Sequence, residues 1–316
     1  MTRWVRFPLS VFVAVWFALV LVTWFSAAHL ERHPDYPQPP GQFAGSAVLE
    51  GWKRWDGNWY EIIATEGYWL TPGQQSPVAF FPVYPLAMRA LGAVLGDVNF
   101  AGIVITVVSG AIAAVLFWRW AADHSSSSAA NASLVTFLLY PYAWYLFGAT
   151  YADALFLAAV LGSFLLLENG HPVLAGVVGA VATATRPTGI AVAVGLTVLM
   201  LERHGILRAA PARDTERRPV RVTDAAVLLS VVGLAAWMTY LWLAFGSPTA
   251  FAQVQEAPGW DQGSGPRTWF KITYLQHIHH LPEYLNDAFF SGPSASDPKP
   301  WTNAVYTLGT VSYTHL

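Results

Sequence analysis

Cysteine is absent from this sequence, and charged side chains are scarce. Without cysteine, the chain forms no disulfide bond and carries out no thiolate chemistry. Only 11% of the 316 residues are charged and 54% are hydrophobic, whereas soluble domains have about 25% charged residues. The net charge of −2 provides no basic field, so no nucleic-acid partner is expected. This composition predicts an integral membrane protein.

Long apolar stretches predict an all-α fold, namely a polytopic transmembrane bundle of about seven to eight helices. A helix needs roughly 20 apolar residues to cross the hydrocarbon core of a bilayer. The candidate stretches cover residues 7–30, 79–95, 98–121, 134–147, 151–167, 172–201 and 225–245. The whole chain, 1–316, is interpreted as a single transmembrane module.

Two regions of the chain leave alternatives open. Residues 7–30 follow basic residues, as a signal peptide would, but the apolar run exceeds the roughly 7–15 residues of a signal core, which favours a retained helix. Residues 134–167 form either two short helices that meet at an irregular turn or one helix that is broken near Pro141 and Gly148.

Arginines predict which loops face the cytoplasm. Arg3 and Arg6 precede the first stretch, and six further arginines lie in the 202–222 loop. The positive-inside rule places the N-terminus and that loop in the cytoplasm. The loops 31–78 and 247–300 are then extracytoplasmic. Arginine also far exceeds lysine, which is typical of GC-rich bacterial genomes, so we expect a bacterial plasma membrane.

The C-terminal end of the sequence predicts an incomplete bundle. An apolar stretch begins near Trp301, and the sequence stops at Leu316, which is too short a length to cross a bilayer. We therefore expect that further C-terminal helices are missing from this chain.

The segment 51–60, GWKRWDGNWY, is the most informative part of the first outer loop. A helix there would be amphipathic and would lie in the headgroup plane. Its apolar face would consist of Trp52, Trp55, Trp59 and Ile63. Asp56 would fall on the same face, where a charge is costly without a partner, so a functional role is expected. The alternative is that Asp56 caps an Asp-Gly turn.

Further motifs follow this loop in order. They are residues 67–68 (GY), 79–85 (AFFPVYP), 149–156 (ATYADALF), 184–189 (ATRPTG) and 246–251 (GSPTAF), followed by Gln255 and Trp260. Together with residues 54–60, they resemble the signature of the PIG-V-type mannosyltransferases, which are polytopic enzymes of the GT-C glycosyltransferase class. Asp153 stands where that family has Glu, and Ser247 stands where it has Asp.

The resemblance implies a GT-C-like fold and a transferase that takes mannose from polyprenyl-phosphate mannose. Besides membrane lipids, the expected partners are this lipid-linked donor and an extracytoplasmic acceptor hydroxyl on a glycolipid, a glycan or a protein. Direct attack opposite the phosphate inverts the anomeric carbon and needs a positioned base, for which Asp56 is the candidate. No cofactor is implied, and a need for a divalent cation stays open.

A cation near the leaving phosphate would stabilise its developing charge. Arg186 is the first candidate because a guanidinium fits phosphate oxygens, and its alternative role is an internal ion pair with Asp153. Arg54 and Lys53 are second candidates, with contact to lipid headgroups as their alternative role. Substrate contacts are assigned to Trp55, Trp59, Tyr60, Tyr84, Tyr151, Asp153, Gln255 and Trp260. The aromatic residues among them alternatively anchor the chain at the membrane interface.

The position of Asp153 conflicts with this assignment. The predicted crossings place residues 148–151 near the cytoplasmic side, away from Asp56. Asp153 reaches the cavity beside Asp56 only if the segment folds back half-way, where irregular backbone is covered by protein. The catalytic prediction therefore does not depend on Asp153.

The histidines at 277, 279 and 280 do not predict a metal site. Adjacent side chains on a regular element point in different directions, so His279 and His280 would face one ion together only if a loop gathered them. No metal ligand is therefore assigned.

Two other functions compete with the transferase. A polytopic transporter often has broken helices and charges at the middle of the membrane, which the 134–167 region and Arg186 would suit. Transporters also tend to have internal repeats, and the two halves of this sequence show none. The other competing function is a non-catalytic subunit that binds a polyprenyl lipid.

Overall fold

A computed structural model describes residues 3–29, 46–53, 56–207, 221–260, 282–283 and 285–286. Within these ranges all regular secondary structure is helical, and no strand is present. This agrees with the all-α class predicted from the sequence.

The described residues form eleven α-helices and five 3₁₀ helices. The α-helices are α1 (Arg3–His29), α2 (Ala47–Glu50), α3 (Gly57–Thr65), α4 (Val83–Leu95), α5 (Val98–His124), α6 (Ser127–Leu139), α7 (Asp153–Glu168), α8 (Pro172–Thr183), α9 (Ile190–Arg203), α10 (Val232–Phe245) and α11 (Ala250–Gln253). The 3₁₀ helices are Pro77–Ala79, Pro141–Leu146, Pro187–Gly189, Val222–Val231 and Val254–Glu256.

The described residues form two compact units. The first contains residues of 1–69 and 80–248, and the second contains residues of 70–79 and 249–316. Helices α1 to α10 belong to the first unit, and α11 belongs to the second. Most of the predicted site residues therefore fall in the first unit.

Three helices in the described part of the chain are long and apolar enough to cross a membrane. They are Val5–His29, Val98–His124 and Val222–Phe245, with mean hydropathies of 2.3, 2.5 and 1.9. The third is the 3₁₀ helix Val222–Val231 continued by α10. Since helices of this length match the roughly 30 Å hydrocarbon core, they indicate a membrane protein, as predicted.

Helix α4 folds back along the first part of α5. The hydroxyl of Tyr84, near the start of α4, donates to Gly102 O at 3.0 Å and lies 2.9 Å from Thr106 Oγ1. At the other end of α4, a Cβ added to Gly92 would lie 2.8 Å from the side chain of Val98. The 13 residues of α4 span only about 20 Å, which is shorter than the roughly 30 Å of a bilayer core, and α4 is not among the helices long enough to cross.

The region 134–167 consists of two helices that meet at irregular backbone. Helix α6 ends at Leu139, the 3₁₀ helix Pro141–Leu146 follows, and α7 begins at Asp153. Between them Gly148 has φ +138°, and the indole of Trp52 would lie 3.1 Å from a Cβ at this position. The predicted alternative of two short helices is therefore confirmed.

The sequence predicted one helix over residues 172–201. The structure instead has two antiparallel helices there, α8 and α9. Proline disfavours helical backbone in the residue before it, and Arg186 before Pro187 is extended, with φ −151° and ψ 149°. The chain turns there, so that α9 returns along α8. A Cβ added to Gly179 in α8 would lie 3.0 Å from Leu196 in α9.

Glycines let α8 approach the 3₁₀ helix Val222–Val231 closely. A Cβ at Gly176 would lie 2.0 Å from Ala226 O, which backbone packing does not allow. The hydroxyl of Thr183 also donates to Ser230 O at 2.6 Å. Small residues commonly allow such close contacts between membrane helices.

The helices of the first unit run between two ends. We call the end where α7 begins at Asp153 the site end, and the end where α7 finishes at Glu168 the far end. His124, the last residue of α5, lies 3.6 Å from Glu168, so α5 also finishes at the far end. The sequence interpretation places residues 148–151 away from Asp56, but the backbone N–H of Asp56 donates to the hydroxyl of Tyr151. Residues 148–151 therefore lie at the site end, which corrects their predicted position.

Single cysteines test this helix order directly, because the chain has no other thiol. Leu95→Cys after the fold-back of α4 and Glu66→Cys after α3 are expected to react with an impermeant maleimide from the same side of the membrane. Ser128→Cys at the start of α6 is expected to react only from the other side. The measurement is maleimide mass tagging of intact and permeabilised cells. Labelling of Leu95→Cys together with Ser128→Cys would show that α4 crosses.

Candidate functional site

Asp56 lies at the start of α3, in the loop that follows α1. The predicted helix through Trp52 and Ile63 is wrong, because residues 51 and 52 form a turn and the helix begins only at Gly57. Trp52 is buried and stacks on Trp144 with ring centroids 5.6 Å apart. The predicted residues Arg54 and Trp55 lie outside the described ranges.

Two hydrogen bonds donated by backbone N–H groups hold this loop against the residues that precede α7. The backbone N–H of Asp56 donates to the hydroxyl of Tyr151 at 2.9 Å, and that of Thr150 donates to Trp52 O at 3.1 Å. Gly57 permits the contact, because a Cβ there would lie 2.4 Å from Thr150 Oγ1. The loop therefore places Asp56 beside the start of α7.

The carboxylate of Asp56 does not act as a helix cap. A capping residue normally has extended backbone, and its side chain accepts a hydrogen bond from the first turn. Asp56 instead has helical backbone, with φ −66° and ψ −8°, and its side chain accepts no capping bond. The turn-cap alternative is therefore wrong, and the function of this half-buried carboxylate needs another explanation.

An ion pair between Arg186 and Asp153 lies close enough to influence Asp56. Arg186 Nη1 donates to Asp153 Oδ1, and the guanidinium lies 6.0 Å from the ring centroid of Phe156. The Arg186 and Asp153 side chains are 30% and 24% exposed, so the pair remains accessible. The predicted internal pair is present, and contact of Arg186 with phosphate stays a prediction.

Burial raises the pKa of Asp56 above that of an ordinary aspartate. The positive charge of Arg186 opposes this shift, and the negative charge of Asp153 adds to it. The three side chains therefore form one electrostatic group at the site end. A carboxylate with a raised pKa is a stronger base than a solvated one.

Two of the predicted substrate contacts are core residues instead. Tyr84 is fully buried, and its hydroxyl is bonded to helix α5. Tyr60 is also buried and packs edge-on against Tyr84 and Tyr151, with centroid distances of 5.0 and 6.0 Å. Both rings are buried among other side chains, which supports a role in packing. Trp59 is half-buried and stacks on Phe80 at 6.0 Å.

Lys53 forms a buried ion pair that the sequence interpretation missed. Its side chain is 4% exposed and pairs with Glu61 of α3. Asn99 Nδ2 of α5 donates to the other carboxylate oxygen of Glu61 at 2.9 Å. Burial lowers the pKa of Lys53, and the contact with Glu61 opposes that shift. This position fits neither of the predicted roles, phosphate binding or headgroup contact, and instead fastens the loop to α5.

Arg89 of α4 has a similar structural role. Its guanidinium donates to Ala64 O at 2.5 Å and to Ile63 O at 3.3 Å, which satisfies carbonyls in the last turn of α3. The sequence alone does not predict this structural role, because an arginine in an apolar stretch is compatible with either a structural or a functional role.

The remaining predicted residues belong elsewhere. Gln255 and Trp260 are half-buried members of the second unit. No group of three or more metal-ligating side chains occurs in the part of the chain that the structure describes. His277, His279 and His280 lie outside that part.

No protein-family model matches this chain, and no curated protein or solved structure is significantly similar to it. The PIG-V-type resemblance therefore stays a prediction from short motifs. The local geometry around Asp56 has to support any functional assignment.

Replacing Glu61 tests the structural role of Lys53. Glu61→Gln leaves the buried ammonium without a carboxylate and is expected to destabilise the protein by about 3 kcal/mol. Thermal unfolding of the purified chain in detergent measures the change. The matched control is Glu66→Gln at the exposed end of α3, which should change stability by less than about 0.5 kcal/mol. Equal stability of the two variants would contradict the structural role.

Proposed function

We propose that the chain is a membrane glycosyltransferase that moves mannose from a polyprenyl-phosphate donor to an extracytoplasmic hydroxyl, with inversion. The observation that carries this proposal is the uncapped, half-buried carboxylate of Asp56 beside the ion pair of Arg186 and Asp153. The site supplies a base and a cation, which this reaction requires. The choice of mannose and of the lipid donor comes from the motif resemblance.

Asp56 is the proposed general base. As the acceptor oxygen forms its bond to the anomeric carbon, the bond from that carbon to the phosphate oxygen breaks. The acceptor proton passes to the carboxylate of Asp56 and later to solvent. The pKa raised by burial favours this transfer, because a base is most effective when its pKa approaches the working pH.

Arg186 is the proposed contact for the leaving phosphate. Negative charge develops on that group in the transition state, and a fixed cation stabilises it. Arginine carries five N–H donors in a planar arrangement, so its bond to Asp153 is compatible with phosphate contact. The extended backbone before Pro187 holds the residue at the turn between α8 and α9. In this proposal Asp153 orients the guanidinium.

The distribution of arginines supports an extracytoplasmic site. The described residues Arg203 and Arg221 lie at the far end, where α9 finishes and the 3₁₀ helix Val222–Val231 begins. The positive-inside rule puts this end in the cytoplasm. Asp56 at the opposite end then faces outward, and we place the protein in a bacterial plasma membrane.

A transporter is the second candidate, because of the turn between α8 and α9. Transporters often place charged residues where a membrane segment is interrupted, and Arg186 occupies such a position. A lipid-binding subunit without activity is the third candidate. Chemistry at Asp56 distinguishes the transferase from both.

Asp56→Asn removes the base with little change in shape. We expect transfer of radiolabelled mannose from polyprenyl-phosphate mannose to fall by about 10²–10⁴-fold, because a positioned base contributes that much. The measurement is made on membranes that contain equal amounts of folded protein. The control is Asp123→Asn, an exposed aspartate paired with Arg119, which should retain full activity.

The pH dependence of the transfer rate also tests whether Asp56 is the base. The base works when deprotonated, so the rate should fall as pH decreases through the pKa of Asp56. Since that pKa is raised, the fall should begin above the range of an ordinary aspartate near about 3.9. Undiminished transfer by Asp56→Asn would remove the carboxylate from the mechanism.

Replacing each member of the ion pair separates phosphate contact from a purely structural role. We expect Arg186→Gln to lower kcat by about 10²-fold or more, as the loss of a transition-state contact does. Asp153→Asn keeps the cation of Arg186 and should lower kcat by a clearly smaller factor. The measurement is steady-state transfer with varied donor concentration. Equal losses in both variants, with recovery in the double variant, would assign the pair to structure alone.

A further inference from the structure

A cavity of about 330 Å³ lies at the far end of the first unit, outside the proposed catalytic site. It opens between the end of α7, the start of α8, the end of α9 and the start of the 3₁₀ helix Val222–Val231. Its apolar wall contains Leu167, Pro172 and Met200. The 16 residues of α7 separate it from Asp153 by about 24 Å, which approaches the thickness of a bilayer core.

Three basic side chains line the polar part of the cavity, namely Arg203, His204 and Arg221. Asp224 is the one acidic residue among the lining side chains. His204 Nε2 lies 3.2 Å from Asp224 Oδ2, so the carboxylate of Asp224 contacts the imidazole of His204. The two arginines outnumber the single carboxylate, and the lining is therefore positive even when His204 is neutral.

Hydrogen bonds hold the two arginines at the opening of the cavity, which we call its rim. Arg203 Nη1 donates to Glu168 O at 2.7 Å, which joins the end of α9 to the end of α7. The backbone N–H of Arg221 donates to Asp224 Oδ2 at 2.6 Å, which anchors the start of the next helix. Both arginines are exposed at their positions. These contacts therefore hold the rim in place while both arginines remain exposed.

An amphipathic cavity at this level of a membrane protein matches one chemical class of ligand. Basic pockets between membrane helices on the cytoplasmic side commonly hold the headgroups of anionic lipids. Phosphate oxygens suit guanidinium groups, and the apolar wall suits the glycerol and the first part of an acyl chain. A free phosphate ion would use only the polar half.

We propose that this cavity binds the phosphate headgroup of an anionic phospholipid, held by Arg203 and Arg221. The bound lipid would connect α7, α8 and α9 at the cytoplasmic face. This binding site is independent of glycosyl transfer, since it lies at the opposite end from Asp56. It would make the stability of the helix array depend on the charge of the surrounding lipids.

The test compares lipid binding by the full chain and by charge variants. Native mass spectrometry of the purified protein counts bound phosphatidylglycerol, with phosphatidylcholine, glycerol phosphate and inorganic phosphate as separate probes. Arg203→Gln and Arg221→Gln are each expected to weaken phosphatidylglycerol binding about five-fold, as the loss of one basic contact does. The matched control is Arg119→Gln, which removes an exposed charge near the end of α5, outside the cavity.

The outcomes separate the possible sources of phosphate. Selective binding of phosphatidylglycerol that is weakened by both cavity variants and kept by Arg119→Gln supports the site. Equal weakening by Arg119→Gln would show general attraction to anionic lipid and overturn it. Binding of inorganic phosphate as tight as that of the lipid would overturn the lipid assignment. Arg203→Lys provides a folded variant with unchanged charge, and it should retain most of the binding.

Discussion

Two hydrogen bonds between the first loop and the start of α7 determine where the candidate site forms. Asp56 N–H donates to the Tyr151 hydroxyl, and Thr150 N–H donates to Trp52 O. They require residues 148–151 to reach the same end as the loop, which happens because α4 folds back on α5. Without this contact, Asp56 and the ion pair would belong to opposite ends.

The first unit contains two ion pairs that differ in how far they are buried. The buried pair of Lys53 and Glu61 fastens the loop, while the more accessible pair of Arg186 and Asp153 lies beside Asp56. A buried pair contributes mainly by avoiding an uncompensated charge, so the first pair is structural. The second keeps a cation near a carboxylate whose pKa burial raises. The two pairs therefore differ in exposure, since the Lys53 side chain is 4% exposed and the Arg186 side chain is 30% exposed.

Part of this arrangement could be predicted from the sequence. The long apolar helices follow from hydropathy, and the ion pair of Arg186 with Asp153 was one of the two roles predicted for Arg186. The fold-back of α4 and the turn at Arg186 could not be predicted from hydropathy, because both segments are predominantly apolar despite Arg89 and Arg186. Only the short length of α4 and the proline after Arg186 indicate these features. The partners of Lys53 and Tyr84 were missed for a related reason. Their contacts depend on tertiary packing across α3, α4 and α5, which residue spacing does not encode.

The most direct test of the central claim is whether the wild-type chain transfers sugar at all. Membranes containing the protein are incubated with radiolabelled polyprenyl-phosphate mannose, and the labelled product is isolated and its linkage determined. The account predicts a mannosylated acceptor whose anomeric configuration is inverted relative to the donor. Absence of transfer by folded protein across a range of membrane acceptors, or a product with retained configuration, would contradict it.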